Sequence, residues 1–105
     1  MHQGNNRQMR HFFRSQMTPV DVLKVADDFF PKLPLERSAH TARTRTFSGL
    51  LGTLQLSVKK EGGHYTFVEV NTDQMGESRL DRNAKRFFVE LHRKTDPAHK
   101  LEAAY

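Results

Sequence analysis

The stretch Thr53 to Lys60 alternates without a break. Leu54, Leu56 and Val58 fall on one side, and Thr53, Gln55, Ser57 and Lys59 on the other. Successive side chains of a strand point to opposite faces, so this pattern is a strand with one face in a core and one in water. Glu61-Gly62-Gly63 follows it. Glycine supplies the positive φ that a tight hairpin needs, so the next strand returns antiparallel. A half-buried hairpin must lay its apolar face on another element, which leaves helix-on-sheet or sheet-on-sheet packing.

Two segments supply the helices. Thr18-Pro19-Val20-Asp21 is a helix start. Thr18 can cap a first-turn N–H, Pro19 fits the first helical position, and Asp21 stands where the helix dipole favours an anion. Val22, Leu23, Val25, Ala26, Phe29 and Phe30 then form a wide apolar face, and Pro31 stops the helix. Pro31 to Leu35 reads as an extended connector. Ser78-Arg79-Leu80-Asp81 is a second start. From there Leu80, Ala84, Phe87, Phe88 and Leu91 fall within an arc of roughly 100°, and Asp96-Pro97 ends the helix.

Three strands lie between, at Arg43 to Ser48, Thr53 to Lys60 and His64 to Thr72. In the third, Tyr65 and Phe67 compete with Val68 and Val70 for the inner face. The expected fold is α+β: a helix, a three-stranded antiparallel sheet and a C-terminal amphipathic helix, in the order α-β-β-β-α. It occupies residues 18–95 as a single domain. Residues 1–17 are expected to be a flexible basic tail and 96–105 a frayed end. Within the tail, Met9, Phe12, Phe13 and Met17 share helical spacing, which suits a basic amphipathic anchor. Met17 stands directly before the helix start and is a candidate first residue.

Composition bounds the rest. Of 105 residues, 25 are Leu, Val or Phe, enough for a modest core. The absence of Cys excludes a disulfide scaffold, a Cys-ligated metal site and a thiol nucleophile, and it fits a reducing cytoplasm. No apolar run approaches the ~18 residues of a membrane helix, and no signal-peptide pattern opens the chain.

The net charge of +5 is unevenly placed. Arg7, Arg10 and Arg14 stand in the first 17 residues with no acid. On the last helix Arg79, Arg82, Arg86 and Arg93 fall within about 60° of one another, opposite the core stripe, with Lys85 and Lys94 beside them. That ridge spans about 21 Å. Guanidinium groups on a rigid rod suit successive phosphates; a solvated helix face would look the same.

The element order resembles that of the double-stranded-RNA-binding domain, which sets a basic second helix against RNA phosphates. The resemblance is confined to order. Met75-Gly76-Glu77-Ser78 has the Gly and Ser of that family's helix start, but Leu80 stands where it has Lys, and Gly62-Gly63-His64 follows the second strand instead of the first. A small helix-grip or steroid-carrier-like module is a further fold-level resemblance. It implies an apolar pocket, for which Phe29, Phe30, Phe47, Phe67, Phe87 and Phe88 are the candidates; aromatics at this spacing also make an ordinary core.

Catalytic and metal signals are weak. None of the six His residues forms a helical i, i+4 pair, and Ser48, Ser57 and Ser78 lack a nucleophile-elbow context. Ser78 is better read as a cap. Asp27 and Asp28 are consecutive on a helix and point apart; near its C-terminal end they call for a cationic partner. Asp73 and Glu77 flank a glycine but fall short of a calcium loop.

The expected function is therefore that of a binding module with neither cofactor nor catalytic residues. Its polyanion-binding residues would be Arg79, Arg82, Lys85, Arg86 and Arg93, with Arg7, Arg10 and Arg14 assisting, and its partner nucleic acid or an acidic protein surface. The alternative is a protein-interaction or self-associating module, in which Asp21 and Asp28 of one copy meet the basic ridge of another. Enclosure of a small apolar ligand is the third reading.

Overall fold

A computed structural model of the chain describes residues 8–95. The elements are β1 (Met9–Ser15), α1 (Pro19–Phe29) with a 3-10 turn at Phe30–Lys32, β2 (Leu35–His40), β3 (Thr44–Gly49), β4 (Gly52–Glu61), β5 (Tyr65–Thr72) and α2 (Arg79–Thr95). The strands form one antiparallel sheet in the order β1-β5-β4-β3-β2.

The expected three-stranded sheet is thus corrected to five strands, within the same mixed α+β class. The expected order α-β-β-β-α goes with it, and so does the likeness in order to the double-stranded-RNA-binding domain. Both additional strands lie at the edges, and each escaped for its own reason. Met9–Ser15, read above as a tail with helical spacing, also alternates. Met9, His11, Phe13 and Ser15 face inward, while Arg10, Phe12 and Arg14 face out. Seven residues of mixed character satisfy both periods, and pairing with β5 decides. In β2 only Leu35 is buried; the other five residues are exposed and the register slips between Arg37 and Ala39. Such an edge strand carries no apolar alternation to read.

The central hairpin stands where its alternation places it. Leu54, Leu56 and Val58 of β4 are buried, as are Val68 and Val70 of β5, which resolves the third strand's inner face. Thr66 and Thr72 join that face, and Tyr65 and Phe67 turn to the other. Gly63 has φ 72°, the left-handed backbone the turn requires. Gly49 is set by space instead: a Cβ there would collide with the Pro34 carbonyl oxygen.

Both helices lie on the inner face. α1 packs over β3 and β4, and α2 over β1 and β5. Thr18 caps α1, its Oγ1 accepting from the Asp21 N–H at 3.2 Å. Val22, Ala26, Phe30, Phe47, Leu54, Leu56, Leu80, Phe87 and Leu91 are fully buried between the layers. Asp27 has the partners its position calls for, with Arg37 at 3.1 Å and Arg45 at 3.0 Å. The ring of Phe30 packs on Phe29, Phe47 and Phe87 at centroid distances of 5.1, 5.1 and 5.0 Å. β1 is pinned to α2 by Phe13 stacked on Phe88 at 5.2 Å. Among the described residues no helix lies on the opposite face of the sheet.

Candidate functional site

The residues expected to bind a polyanion divide into three groups. Arg79, Arg82, Lys85, Arg86 and Arg93 all lie exposed on α2. Arg10 and Arg14 lie on the outer face of β1, across the sheet from α2. Arg7 lies outside the described residues.

The α2 ridge is not electrically uniform. Lys85 pairs with Glu77 at 3.2 Å, and Glu90 takes both Arg93 at 3.4 Å and Lys94 at 3.6 Å. Arg79, Arg82 and Arg86 have no carboxylate within ion-pair distance among the described residues. Arg82 Nη1 donates to the Glu77 carbonyl at 2.8 Å, and Arg86 Nη1 to Asn83 Oδ1 at 3.3 Å. These contacts aim the guanidinium groups without neutralising them. With Leu33, Asn83 and the Glu77–Lys85 pair the three arginines line a shallow groove beside the first half of α2.

Position along the helix adds to this. The N-terminal end of a helix carries partial positive charge, so cations stabilise the last turn and not the first. Lys94 and Arg93 stand at the favourable end. Arg79 and Arg82 stand at the unfavourable one, so helix stability does not account for them.

Beneath this end of α2 lies a polar cluster that sequence reasoning missed. Asp81 is fully buried. Its Oδ1 lies 2.8 Å from His11 Nε2 of β1 and accepts from Thr72 Oγ1 of β5 at 2.7 Å. Its Oδ2 accepts from Ser78 Oγ at 2.6 Å, and the Asp81 N–H donates back to Ser78 Oγ at 3.0 Å. Ser78 is therefore the cap of α2, as its sequence context indicates. Burial raises the Asp81 pKa, but hydrogen bonds from His11, Ser78 and Thr72 and the charge of His11 outweigh it and hold the carboxyl below its ordinary value. The only early signal was the Ser-x-x-Asp spacing. His11 gave none, because its contact exists only once β1 is a strand.

This His-Asp pair does not form a nucleophilic site. Ser78 and Thr72 both donate to the carboxylate and not to the imidazole, and a carboxyl held below its ordinary pKa is too weak a base to activate either hydroxyl. The cluster ties three elements together. Among the described residues no three His, Asp or Glu side chains gather to hold a metal ion, and no helix is long and apolar enough to cross a membrane.

The six aromatic residues proposed as a pocket lining separate. Phe67 lies on the open face of the sheet, while Phe29, Phe30, Phe47, Phe87 and Phe88 pack largely on one another. Comparison with known proteins adds nothing to this: no family model matches the chain, and no curated protein is significantly similar to it.

Proposed function

We propose that the protein is a binding module that grips the phosphates of a nucleic acid, or a comparable polyanion, with the first half of α2. The observation that supports this reading is the group Arg79, Arg82 and Arg86. These three cations share one helix face and lack carboxylate partners among the described residues, and two of them, Arg79 and Arg82, sit in the first turn of α2, where a cation is unfavourable. An anion at that place would relieve the repulsion and accept several charge-assisted hydrogen bonds.

The second half of the ridge contributes little to this reading. Arg93 and Lys94 already share Glu90, and Lys85 has Glu77. The proposed contact is therefore narrower than the whole helix. It comprises three arginines over two turns.

Counterion release gives the test a number. Three phosphate contacts on a duplex correspond to a slope of about −2.7 in log K against log salt. Anisotropy titrations of a labelled duplex at several salt concentrations are expected to give a slope of this order. Replacing Arg79, Arg82 and Arg86 by Ala should flatten it and leave the thermal midpoint nearly unchanged, because all three side chains are exposed. Arg93→Ala should have a smaller effect. A duplex that fails to bind at low salt, or a triple variant that binds as before, overturns the reading.

A further inference from the structure

We propose that the open face of the sheet, at the seam of β1 and β5, is a stacking site for the bases of single-stranded nucleic acid. Phe12, Phe67 and Tyr65 form the platform, and Arg10, Arg14 and Lys59 hold the sugar–phosphate strand.

An antiparallel sheet with helices on one side presents polar residues on the other. β3 and β4 follow that rule with Thr44, Thr46 and Ser48 and with Thr53, Gln55 and Ser57. β1 and β5 do not. Phe12, Phe67 and Tyr65 all project from their open side. Phe12 is 49% exposed and Tyr65 44%. Nothing in the core requires them there, since Met9, His11 and Phe13 of β1 and Thr66, Val68 and Val70 of β5 already supply the inner face.

The register turns these rings into one surface. Phe12 pairs with Glu69 and Arg14 with Phe67, so Phe12 and Phe67 are diagonal neighbours with centroids 5.3 Å apart and planes 31° from parallel. Tyr65 follows two residues before Phe67, about 7 Å along the strand on the same face. A base offers a flat π surface whatever its identity, and exposed aromatic rings on a sheet are suited to take it.

Cations border the rings. The Arg10 guanidinium lies 4.8 Å from the Phe12 centroid and that of Arg14 5.2 Å from the Phe67 centroid. Among the described residues each is held through Nε alone, Arg10 to Glu69 at 3.2 Å and Arg14 to Glu61 at 2.8 Å. Their side chains are about 60% exposed, so each head can lift from its ring to a phosphate as a base slides beneath. Lys59 pairs with Phe67 across the β4–β5 ladder and has no carboxylate within ion-pair distance among the described residues. Asn71, next to Arg10 in the ladder, donates Nδ2 to Glu69 at 3.0 Å, and its Oδ1 offers a base-edge acceptor. Aromatic rings interleaved with cations match a charged strand carrying apolar bases better than they match an apolar protein face.

This site faces away from α2 and rests on different residues, so the two readings fail separately. The probe is a labelled oligothymidylate, compared with a duplex of equal length. Phe67→Trp introduces the chain's only tryptophan. Its fluorescence should be quenched on saturation with the single strand. Phe12→Leu and Phe67→Leu keep apolar bulk but remove the ring, and each should weaken single-strand binding by about tenfold while duplex binding holds. Phe67→Tyr should retain binding. Circular dichroism of each variant separates lost stacking from lost fold. An unresponsive tryptophan, or leucine variants that bind the single strand as the parent does, overturns the proposal. So does single-strand binding removed by the Arg79, Arg82 and Arg86 triple variant alone. A dimer insensitive to salt that Phe12→Leu dissociates would assign this face to a second copy of the chain and overturn it equally.

Discussion

Asp81 concentrates more structural consequence than any other polar residue described. A fully buried carboxylate is tolerated because His11, Thr72 and Ser78 all contact it. Those partners come from β1, β5 and the cap of α2. Asp81→Asn keeps the shape but reverses part of the hydrogen-bond polarity, since the amide nitrogen must face a donor. A loss of about 3 kcal/mol in urea unfolding is expected. The sign of the pH effect follows from the lowered pKa. A depressed carboxyl stabilises the fold above the unfolded value and loses that contribution as pH falls through the folded one. The parent should therefore lose stability below about pH 4. The Asn variant should show a flatter acid limb, which is measurable as the unfolding midpoint against pH.

At the scale of elements, legibility in the sequence tracks burial. Thr18-Pro19, Gly62-Gly63 and Ser78 declared both helices and the central hairpin, because each signal is local chemistry of a cap or a turn. β4 declared itself through Leu54, Leu56 and Val58. β2 was silent, since an exposed edge has no apolar side to alternate. β1 spoke ambiguously: Phe12 and Phe13 are adjacent aromatic residues, one for each face, which reads as helix, strand or tail. The α2 arginines were legible as a ridge, whereas their division by Glu77 and Glu90 needed side-chain geometry. The apolar stripe of α2 carries its own prediction. Phe87→Ala should cost about 3–5 kcal/mol and Leu91→Ala about 2–5 kcal/mol in denaturant unfolding, because both side chains are fully buried.

For the whole molecule, the sheet order matters more than the strand count. β2 to β5 form a meander in which β3, β4 and β5 each pair with the strand before. β1 alone closes a long loop, lying against β5 and held to α2 by Phe13 on Phe88 and by His11 on Asp81. A strand with one ladder neighbour and a few anchoring contacts opens more readily than the centre of a sheet. Hydrogen exchange should find the amides of Met9–Ser15 less protected than those of β4, and His11→Ala should widen that gap without abolishing the fold.

The same closure has a consequence during synthesis. β1 leaves the ribosome first among the five strands, yet its ladder partner is the last strand made. At ordinary elongation rates the wait is on the order of seconds. Throughout that interval Phe12 and Phe13 travel on a strand with nothing to pair with, while the meander grows behind them. The newborn chain must therefore hold its first strand in reserve until Thr72 and then α2 have emerged. Its most exposed moment, for a chaperone or for another nascent copy, falls just before β1 meets β5 and α2.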